Sequence, residues 1–456
     1  MTVTTDVDPL TRAMSAAVAR VHLPGSVGYQ ALAATHDTRH RPGPALVVEA
    51  LTAHDVAAAV RTAGALGVPV AVRGTGRDAV QPGCVLITTR SLDALVVRPQ
   101  HGTAQLGAGV RWSAVLQTAA RHGLAPVCGS DAAGGAVAHL VSGGLGPVAR
   151  TFGVSSDRIL ELEVVTGDGV LRRVSPTVHP ELFWGLRGGQ GALGIVTSVQ
   201  IELVEQPELY AGTLWYDEVD VARVLRAWAR WATRLPVEGT TSVAVARMAS
   251  VPHVPAALSG FTTLALRFAW IGSPAEGERQ IEPLREVAEP LIDTLGVLPY
   301  AAIGAVHADH GAPGPRQRHD VLLDGLGPAA ADRLIELVGP GSGCRQQSVE
   351  VRRLGGAVRE PLRGPSAVAH RDAPWSVTTV GSASAGTPDP VADDARRIAQ
   401  GMAGWVRPGA LAGHDDGSGR VWADRVFGAG AASRLRDLSG SYDPAGTLLA
   451  GRALGR

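Results

Sequence analysis

Two glycine-rich segments carry the clearest chemical signal in this chain of 456 residues. The first runs from Gly129 to Gly146 and the second from Trp184 to Gly194. Glycine lets a backbone approach a large ligand closely, and backbone N–H groups can hold phosphate oxygens. The chain has no lysine, so a phosphate here must be held by N–H groups, a helix N-terminus or arginine. These segments therefore indicate a bound nucleotide cofactor rather than phosphoryl transfer.

The spacing Gly189-x-Gly191-x-x-Gly194 matches the dinucleotide-binding fingerprint, but its context is wrong. That fingerprint follows a strand and opens a helix. Here the glycines follow a predicted helix and precede a predicted strand at 195–203, so a Rossmann fold is not favoured. The alternative, that the glycine loops are only tight turns, stays open at this point.

The bulk composition limits the class of protein. The length predicts two domains, and the formal net charge of +0 gives no reason to expect a nucleic-acid or membrane partner. The spacing of Cys84, Cys128 and Cys344 fits neither a metal site nor a disulfide framework, so we expect buried free thiols and no metal. The N-terminus has no signal-peptide pattern, and no apolar run approaches the roughly 20 residues of a membrane helix. We therefore expect a cytoplasmic protein.

Hydrophobic periodicity divides the chain near residue 205. Before it, short strands alternate with helices predicted at 54–66, 112–122 and 180–186. After it, strands predicted at 209–216, 242–246, 262–270 and 348–352 alternate with helices at 219–234, 276–295 and 329–338. One helix is expected in residues 1–40, and a helix followed by coil is expected after residue 421. This pattern predicts an α+β fold in which a sheet of the second region is backed by helices.

Five motifs occur in one order along the chain. They are Arg73-Gly-Thr-Gly-Arg77, the 129–146 segment, the segment 183–197, Arg352-x-x-Gly-Gly-Ala357 with Ala369-His-Arg-Asp-Ala373, and a tail at 434–444 ending in Tyr-Asp-Pro. Together they resemble the FAD-linked oxidases of the berberine bridge enzyme-like group, within the vanillyl-alcohol oxidase (PCMH-type) superfamily. The resemblance covers nearly the whole chain from about residue 40.

The resemblance implies a two-lobed PCMH-type FAD-binding domain at 40–205 and a substrate domain with an antiparallel sheet at 206–419. Residues 1–39 would form an N-terminal arm, and 420–456 a tail that returns to the FAD domain. FAD would lie between the lobes, with its pyrophosphate near 73–77 and 129–135 and its adenine near 188–196. The implied cofactor-binding residues are Arg73, Gly74, Thr75, Gly76, Arg77, Gly129, Ser130, Asp131, Gly134, Gly135, His139, Gly143, Gly144, Gly146, Gly189, Gly191, Gly194, Ile195 and Val196.

The chain departs from the family where many relatives attach FAD covalently. The family's histidine position is Arg77 here and its cysteine position is Asp131, so the resemblance implies non-covalent FAD. An alternative is that Cys128 substitutes for the missing cysteine. We predict that Arg77 and Asp131 form an ion pair that replaces the two covalent bonds. His139 would contact the flavin, or would simply be a packed core histidine.

Flavin oxidation also needs a group that takes a proton. Strand alternation puts Glu350 and Arg352 on one face, where Glu350 would be the base and Arg352 an anion anchor. The alternative is a solvated ion pair. His370 is a third catalytic candidate, and Tyr216 and Tyr300 are weaker ones.

The resemblance implies a FAD-dependent oxidoreductase of the oxidase type that acts on a small organic substrate. Molecular oxygen would accept the electrons, and the setting would be bacterial secondary metabolism. The family's active-site tyrosine is missing, which leaves an alternative: a redox-neutral cyclisation or rearrangement with FAD as a structural group. A third possibility is a protein that no longer binds FAD.

Overall fold

A computed structural model describes residues 8–34, 43–74, 80–252, 254–307, 316–382 and 389–455. Its first region forms three small sheets, of which the two larger ones correspond to two lobes and the third has only two strands. The strands are β1 (Val21–His22), β2 (Leu46–Glu49), β3 (Val70–Arg73), β4 (Val85–Thr88), β5 (Leu95–Arg98), β6 (Thr103–Gly107), β7 (Leu124–Ala125), β8 (Ile159–Val165), β9 (Leu171–Val174), β10 (Ile195–Glu202) and β11 (Val204–Glu205). The first sheet has the order β1-β2-β4-β3, and the second is antiparallel with the order β5-β6-β10-β8-β9.

The helices of this region pack against the two sheets. They are α1 (Pro9–Ala17), α2 (Val27–Ala33), α3 (Ala53–Ala65), α4 (Trp112–Ala120), α5 (Ala136–Val141), α6 (Ala149–Phe152) and α7 (Pro180–Leu186). The capping box of Thr52 and Asp55 fixes the start of α3, because each side chain accepts an N–H of the other residue's backbone. The N-terminal segment differs from the expectation of one helix. Its strand β1 pairs with β2 between two helices.

The second region is built on one large antiparallel sheet. Its strands are β12 (Glu208–Tyr216), β13 (Gly239–Arg247), β14 (Thr262–Trp270), β15 (Ile292–Asp293), β16 (Gly296–Pro299), β17 (Arg316–Leu323), β18 (Ser348–Arg353), β19 (Trp375–Ser382) and β20 (Val406–Arg407). The order is β15-β12-β14-β13-β18-β19-β17-β20, with β16 also on β12. Four helices accompany the sheet: α8 (Val221–Ala232), α9 (Pro274–Arg285), α10 (Pro328–Val338) and α11 (Pro390–Gly401).

The two faces of this sheet differ in chemistry. Alternate residues of the central strands, such as Val243, Leu266 and Val351, join the apolar side chains of α8 and α10 in one buried cluster. The intervening residues, Ser242 and Arg267 among them, point to the other face, which turns towards the first region. The predicted α+β fold, with an antiparallel sheet backed by helices, is confirmed.

Two predicted elements differ from the structure. The helix expected at 276–295 ends at Arg285, and Ile292–Asp293 instead forms an edge strand on β12. Pro290 cannot donate the N–H that a continuing helix needs, which accounts for the early end. The tail expected as coil after Tyr442 contains a further short helix. The tail helices are α12 (Arg420–Phe427), α13 (Ala429–Tyr442) and α14 (Leu449–Arg452).

The tail belongs to the packing of the first region. Phe427 and Leu435 are buried in the same apolar cluster as Leu106 and Trp184. Asp443, at the end of α13, accepts the N–H groups of Thr447 and Leu448, and the carbonyl of Thr447 accepts the N–H of Val70 at the start of β3. The chain thus returns to the first lobe after passing through the large sheet.

Candidate active site

Five polar side chains meet on the face of the large sheet that turns towards the first region. We call this group the Glu350 cluster: Ser242, Arg267, His307, Glu350 and Arg352. Sheet register explains its assembly, because Ser242 on β13 lies opposite Arg267 on β14 and opposite Arg352 on β18. His307 joins from the end of the 3-10 helix Tyr300–Val306.

Glu350 is the centre of this cluster. Its Oε1 accepts the hydroxyl of Ser242 at 2.7 Å and Nη1 of Arg267 at 3.0 Å. Nη2 of Arg352 donates to Oε2 of Glu350 at 3.0 Å and also to Nε2 of His307 at 3.4 Å. Because guanidinium can only donate, Nε2 of His307 carries a lone pair in this arrangement.

The electrostatics of the cluster keep Glu350 ionised. Burial alone would raise the pKa of its carboxyl, but Arg352, Arg267 and His307 hold that pKa well below its usual range. Glu350 and Arg352 therefore share one face of the sheet, as predicted. They do not form the water-facing ion pair that was the alternative. A carboxylate this weakly basic is better suited to orienting its neighbours than to taking a proton itself.

A small cavity, partly open to solvent, lies between this face and the loop after α5. Its lining from the sheet side includes Ser242, Arg267, His307 and Arg352, and its lining from the loop side is Gly146 and Pro147. The cavity therefore joins the two regions of the chain.

The loop that faces the cavity is built around His139. The ring of His139 sits between Gly129 and Gly144, where a Cβ atom would come within 2.6 Å and 2.7 Å of ring atoms. Its Nε2 lies 3.1 Å from the hydroxyl of Ser155, and Trp112 packs edge-on against it. These two glycines make room for a side chain of the protein itself, and the imidazole is firmly packed.

His139 and His414 are both neutral because of their surroundings. Burial lowers the pKa of His139 to about 4, with Asp131 opposing and Arg352 adding to the effect. Burial, followed by the charges of Arg352 and Arg318, lowers the pKa of His414 to about 3.

The lowered pKa values of these two histidines predict that the folded protein loses stability in acid. As the pH falls from about 6.5 towards 4, the unfolded chain binds protons at these histidines and the folded chain does not, so the folded state loses stability. Each histidine can contribute up to about 1.4 kcal/mol per pH unit. Urea denaturation at pH 7 and pH 5 should show a smaller loss of stability for His414→Gln than for the wild type. His122→Gln, at an exposed site, serves as the control, and equal losses in all three proteins would contradict the assignment.

Gly146 is required by a close approach of two backbone segments. A Cβ atom at this position would lie 1.9 Å from the carbonyl oxygen of Cys128. Gly146→Ala should therefore destabilise the protein by about 2 kcal/mol or more, measured by urea denaturation. Gly430→Ala is the matched control, because Gly430 is exposed near the start of α13 and a Cβ there meets nothing within 4 Å.

The segment 188–194 uses its N–H groups within the protein. The N–H groups of Gly188 and Gln190 donate to the carbonyl of Val141, and the N–H of Gly194 donates to the carbonyl of Gly191. Gly189 packs against the carbonyl of Gly185. Ile195 and Val196 follow as the buried start of β10. A cofactor could pack against this segment, but it could not receive hydrogen bonds from these N–H groups, which already donate within the protein.

The segment 129–135 turns at Asp131. Oδ1 of Asp131 accepts the N–H of Ala133, and its carbonyl accepts the N–H of Gly134. Gly135 caps the start of α5 through its backbone, and Ser130 precedes the turn. The structure thus places Asp131 in an Asx turn on the loop side.

The Arg73 motif is described only in part. Nη1 of Arg73 donates to carbonyl oxygens at the end of α2, including that of Ala33 at 2.8 Å. Gly74 follows next to Thr89 and Ala108. Thr75, Gly76 and Arg77 lie outside the described residues, and with them the predicted Arg77–Asp131 ion pair.

Several other candidates lie away from the cavity. Nε2 of His370 bonds to the carbonyl of Arg425 in the tail, and its ring packs on Gly409. The hydroxyls of Tyr216 and Tyr300 donate to the carbonyls of Leu284 and Pro126, and burial raises both pKa values. These contacts indicate anchoring roles rather than proton transfer.

The cysteines are buried and free within the described residues. Burial raises the pKa of the Cys128 thiol to about 12, and this side chain lies in the apolar core of the first region. A buried, protonated thiol is a poor nucleophile. The structure therefore gives no support to Cys128 as an attachment point for the flavin.

His307 is a candidate functional residue that the sequence did not reveal. It is a single histidine after an alanine- and glycine-rich stretch, and nothing in its local pattern indicates chemistry. Only the docking of the 3-10 helix against the sheet brings it to Glu350, with 3.6 Å between Nε2 and Oε1.

The loop 144–146 fits a bound dinucleotide. The N–H groups of Gly144, Leu145 and Gly146 have no hydrogen-bond acceptor among the described residues, although Gly146 is buried beside the cavity. The buried hydroxyl of Ser156, next to Gly143, also has no partner there. Buried polar groups need partners, so these donors suit a ligand rich in acceptor atoms, such as FAD.

Comparison with known proteins agrees with this fit. The family described as "FAD binding domain" matches residues 44–175. The chain is 28% identical over 301 residues to (R)-6-hydroxynicotine oxidase of Paenarthrobacter nicotinovorans, which is 63% of each chain. It is 32% identical over 174 residues to a FAD-dependent monooxygenase of Fusarium proliferatum, covering 37% of this chain and 34% of that protein. The matches thus span less than two thirds of these relatives.

Solved structures share the fold over almost the whole chain. 6-Hydroxy-D-nicotine oxidase from Arthrobacter nicotinovorans superposes with a TM-score of 0.81 at 24% identity, covering 94% of this chain and 96% of that one. A berberine bridge enzyme-like protein of Physcomitrella patens gives 0.84 at 18% identity, covering 98% of both chains. The chain thus shares its fold with a nicotine oxidase and with a berberine bridge enzyme-like protein, and part of it matches an FAD-binding domain. The predicted PCMH-type fold is thereby confirmed.

Membrane-spanning helices and metal-binding groups were both sought among the described residues. Among the described residues, no helix is long and apolar enough to cross a membrane. Within the same ranges, no group of three or more His, Cys, Asp or Glu side chains is arranged to hold a metal ion.

Proposed function

We propose that this protein is a FAD-dependent oxidoreductase of the oxidase type, acting on a small organic substrate in the cavity beside the Glu350 cluster. The observation that carries the proposal is the meeting of a buried, charged cluster with the 144–146 loop across one cavity. Charged groups are seldom buried without a functional reason, and here they face the loop whose donors fit FAD.

We further propose that FAD is bound without a covalent bond. Asp131 stands where the resemblance places a cysteine, and Oδ1 of Asp131 is engaged by the N–H of Ala133. The thiol of Cys128 is buried and its pKa is raised to about 12. Retention of FAD would then depend on the 144–146 loop, the Ser156 hydroxyl and the packing around His139.

Bound FAD would supply a two-electron acceptor, which the side chains of this chain cannot provide. His307, which lines the cavity, would take the substrate proton at Nε2 once the N–H of Arg352 gives up its contact with that nitrogen. Glu350 would stabilise the imidazolium so formed, in the way a carboxylate supports a catalytic histidine. Arg267 and Arg352 keep Glu350 ionised, and Ser242 fixes its orientation.

We also propose the domain division 40–205, 206–419 and 420–456, with 1–39 as an N-terminal arm. The large sheet and its helices have their own apolar cluster, which supports the division. The tail packs with the first region through Phe427 and Leu435, which supports its return to that domain.

The oxidase proposal is tested by anaerobic titration of the yellow protein with a panel of small amines and alcohols that includes (R)-6-hydroxynicotine. Its substrate should bleach the flavin absorbance without oxygen, and readmitted air should restore the colour and yield hydrogen peroxide. If a compound is converted to product while the absorbance stays constant, the oxidase assignment is wrong and the redox-neutral alternative applies.

A further inference from the structure

The segment 410–416, which we call the strap, is fastened to β17 of the large sheet. The N–H of Asp416 donates to the carbonyl of Arg318 at 3.2 Å, and the N–H of Arg318 donates to Oδ2 of Asp416 at 3.0 Å. Two residues further along β17, the N–H of Asp320 donates to Oδ2 of Asp415 at 3.0 Å. The end of the strap is thus bound to the strand by three hydrogen bonds.

The strap also meets the first region next to the 144–146 loop. Leu411 and Leu145 pack against the same small apolar cluster. A Cβ atom at Gly413 would lie 3.9 Å from Cβ of Ser142, which precedes that loop. The strap therefore joins the large sheet to the loop whose N–H groups suit FAD.

Asp320 is the side chain of the sheet that holds the start of the strap. Its Oδ2 accepts the N–H of Leu411 at 2.8 Å, and its Oδ1 accepts the hydroxyl of Thr378 at 2.7 Å. Thr378 on β19 pairs with both Asp320 and Glu350, so Asp320 belongs to the same row of the sheet face as Glu350. The carboxyl of Asp320 is fully buried in this place.

The carboxyl of Asp320 receives its hydrogen bonds from uncharged donors. Arg425 on α12 forms its ion pair with Asp415 and donates through Nη1 to the main-chain carbonyl of Asp320. Burial raises the pKa of Asp320 to about 7, and Asp415 adds to this rise while the two hydrogen bonds and Arg425 oppose it. A protonated carboxyl can donate to Thr378 and accept from Leu411, and the amide of asparagine can do the same.

We propose that Asp320 is a positioning residue, which holds the strap against the 144–146 loop and thereby keeps that loop in the form that retains FAD. The inference rests on the proposed function, because it takes the loop as part of a flavin site. FAD without a covalent bond is retained only by the groups packed around it, and a backbone fixed in advance binds more tightly than a mobile one. A loosened strap should therefore let FAD leave faster.

The test measures the rate of FAD release from the diluted holoprotein by flavin fluorescence, well below the unfolding temperature. Asp320→Ala removes both hydrogen bonds and should speed release at least about tenfold. Asp320→Asn keeps the shape and both hydrogen bonds, and its rate should stay within about twofold of the wild type.

Asp394→Ala is the control for a purely structural effect. Asp394 is also a buried carboxylate, but it lies on α11 and accepts the N–H of Arg345 at 2.7 Å. Its loss should lower the stability and leave the rate of FAD release unchanged. Equal acceleration in Asp394→Ala and Asp320→Ala would overturn the inference, as would a rate in Asp320→Asn as fast as that in Asp320→Ala.

Thr378→Val protects the test against misfolding of Asp320→Ala. It removes one of the two hydrogen bonds and should speed release about threefold. An unchanged rate in Thr378→Val, or in a folded Asp320→Ala, would overturn the inference. Such a result in a wild-type protein that holds FAD and is bleached by a substrate would leave the proposed function intact. A wild-type protein that holds no FAD would refute the proposed function, and this inference with it.

Discussion

Replacing Arg371 with methionine is expected to lower the free energy of unfolding by about 3–5 kcal/mol. Arg371 makes two hydrogen bonds to Asp157, with 2.7 Å between Nη2 and Oδ1 and 2.9 Å between Nη1 and Oδ2. Both side chains are buried, and the pair joins the first region to the second. Removal of the guanidinium would leave the Asp157 carboxylate buried without its partner. Urea denaturation followed by tryptophan fluorescence would measure the loss.

The surface pair of Arg333 and Glu336 provides the control. Both side chains are largely exposed, so Arg333→Gln should change the stability by no more than about 0.5 kcal/mol. The double variant Arg371→Met with Asp157→Asn should recover part of the loss, because the buried charge is gone. A loss below about 1 kcal/mol for Arg371→Met would show that this ion pair does not hold the two regions together.

The second large effect is expected at His307. His307→Gln removes the proton acceptor at the cavity but keeps a side chain that can hydrogen-bond to Arg352 and Glu350. General-base groups contribute about 100-fold to 10,000-fold, so flavin reduction by substrate should slow by at least about 100-fold. Stopped-flow absorbance under anaerobic conditions would measure the rate as a function of pH.

Retention of FAD separates a catalytic role of His307 from a structural one. The variant should hold FAD and keep its flavin spectrum, and the pH dependence of reduction should disappear. His122→Gln, at an exposed site, should leave the rate unchanged. A fall in rate that comes only with loss of FAD would assign His307 to folding of the site, not to proton transfer.

The sequence predicted most elements of the fold because their periodicity is local. The strand Thr262–Trp270 and the helix Pro180–Leu186 agree with the prediction to the residue. The helix predicted to reach residue 295 was wrong beyond Arg285, since Leu291 and Ile292 continue an apolar pattern that the sheet edge uses instead. Local propensity cannot distinguish these outcomes, because pairing with β12 is a tertiary effect.

For the site, the sequence could predict only which side chains of one strand share a face of the sheet. Glu350 and Arg352 had to share a face, but their burial depends on the approach of the Gly146–Pro147 loop from a distant part of the chain. The glycines show the same limit. Their spacing suggested close contact with a cofactor, whereas Gly129 and Gly144 enclose His139 and Gly146 meets the carbonyl of Cys128.

The most direct test of the account is acid precipitation of the purified protein after its visible spectrum has been recorded. The purified protein should be yellow and should release FAD into the supernatant, because neither Asp131 nor Cys128 offers a covalent attachment. Yellow colour that stays in the pellet would contradict non-covalent binding. A colourless protein that ignores added FAD would contradict the central claim that the 144–146 loop and the Glu350 cluster form a flavin-dependent active site.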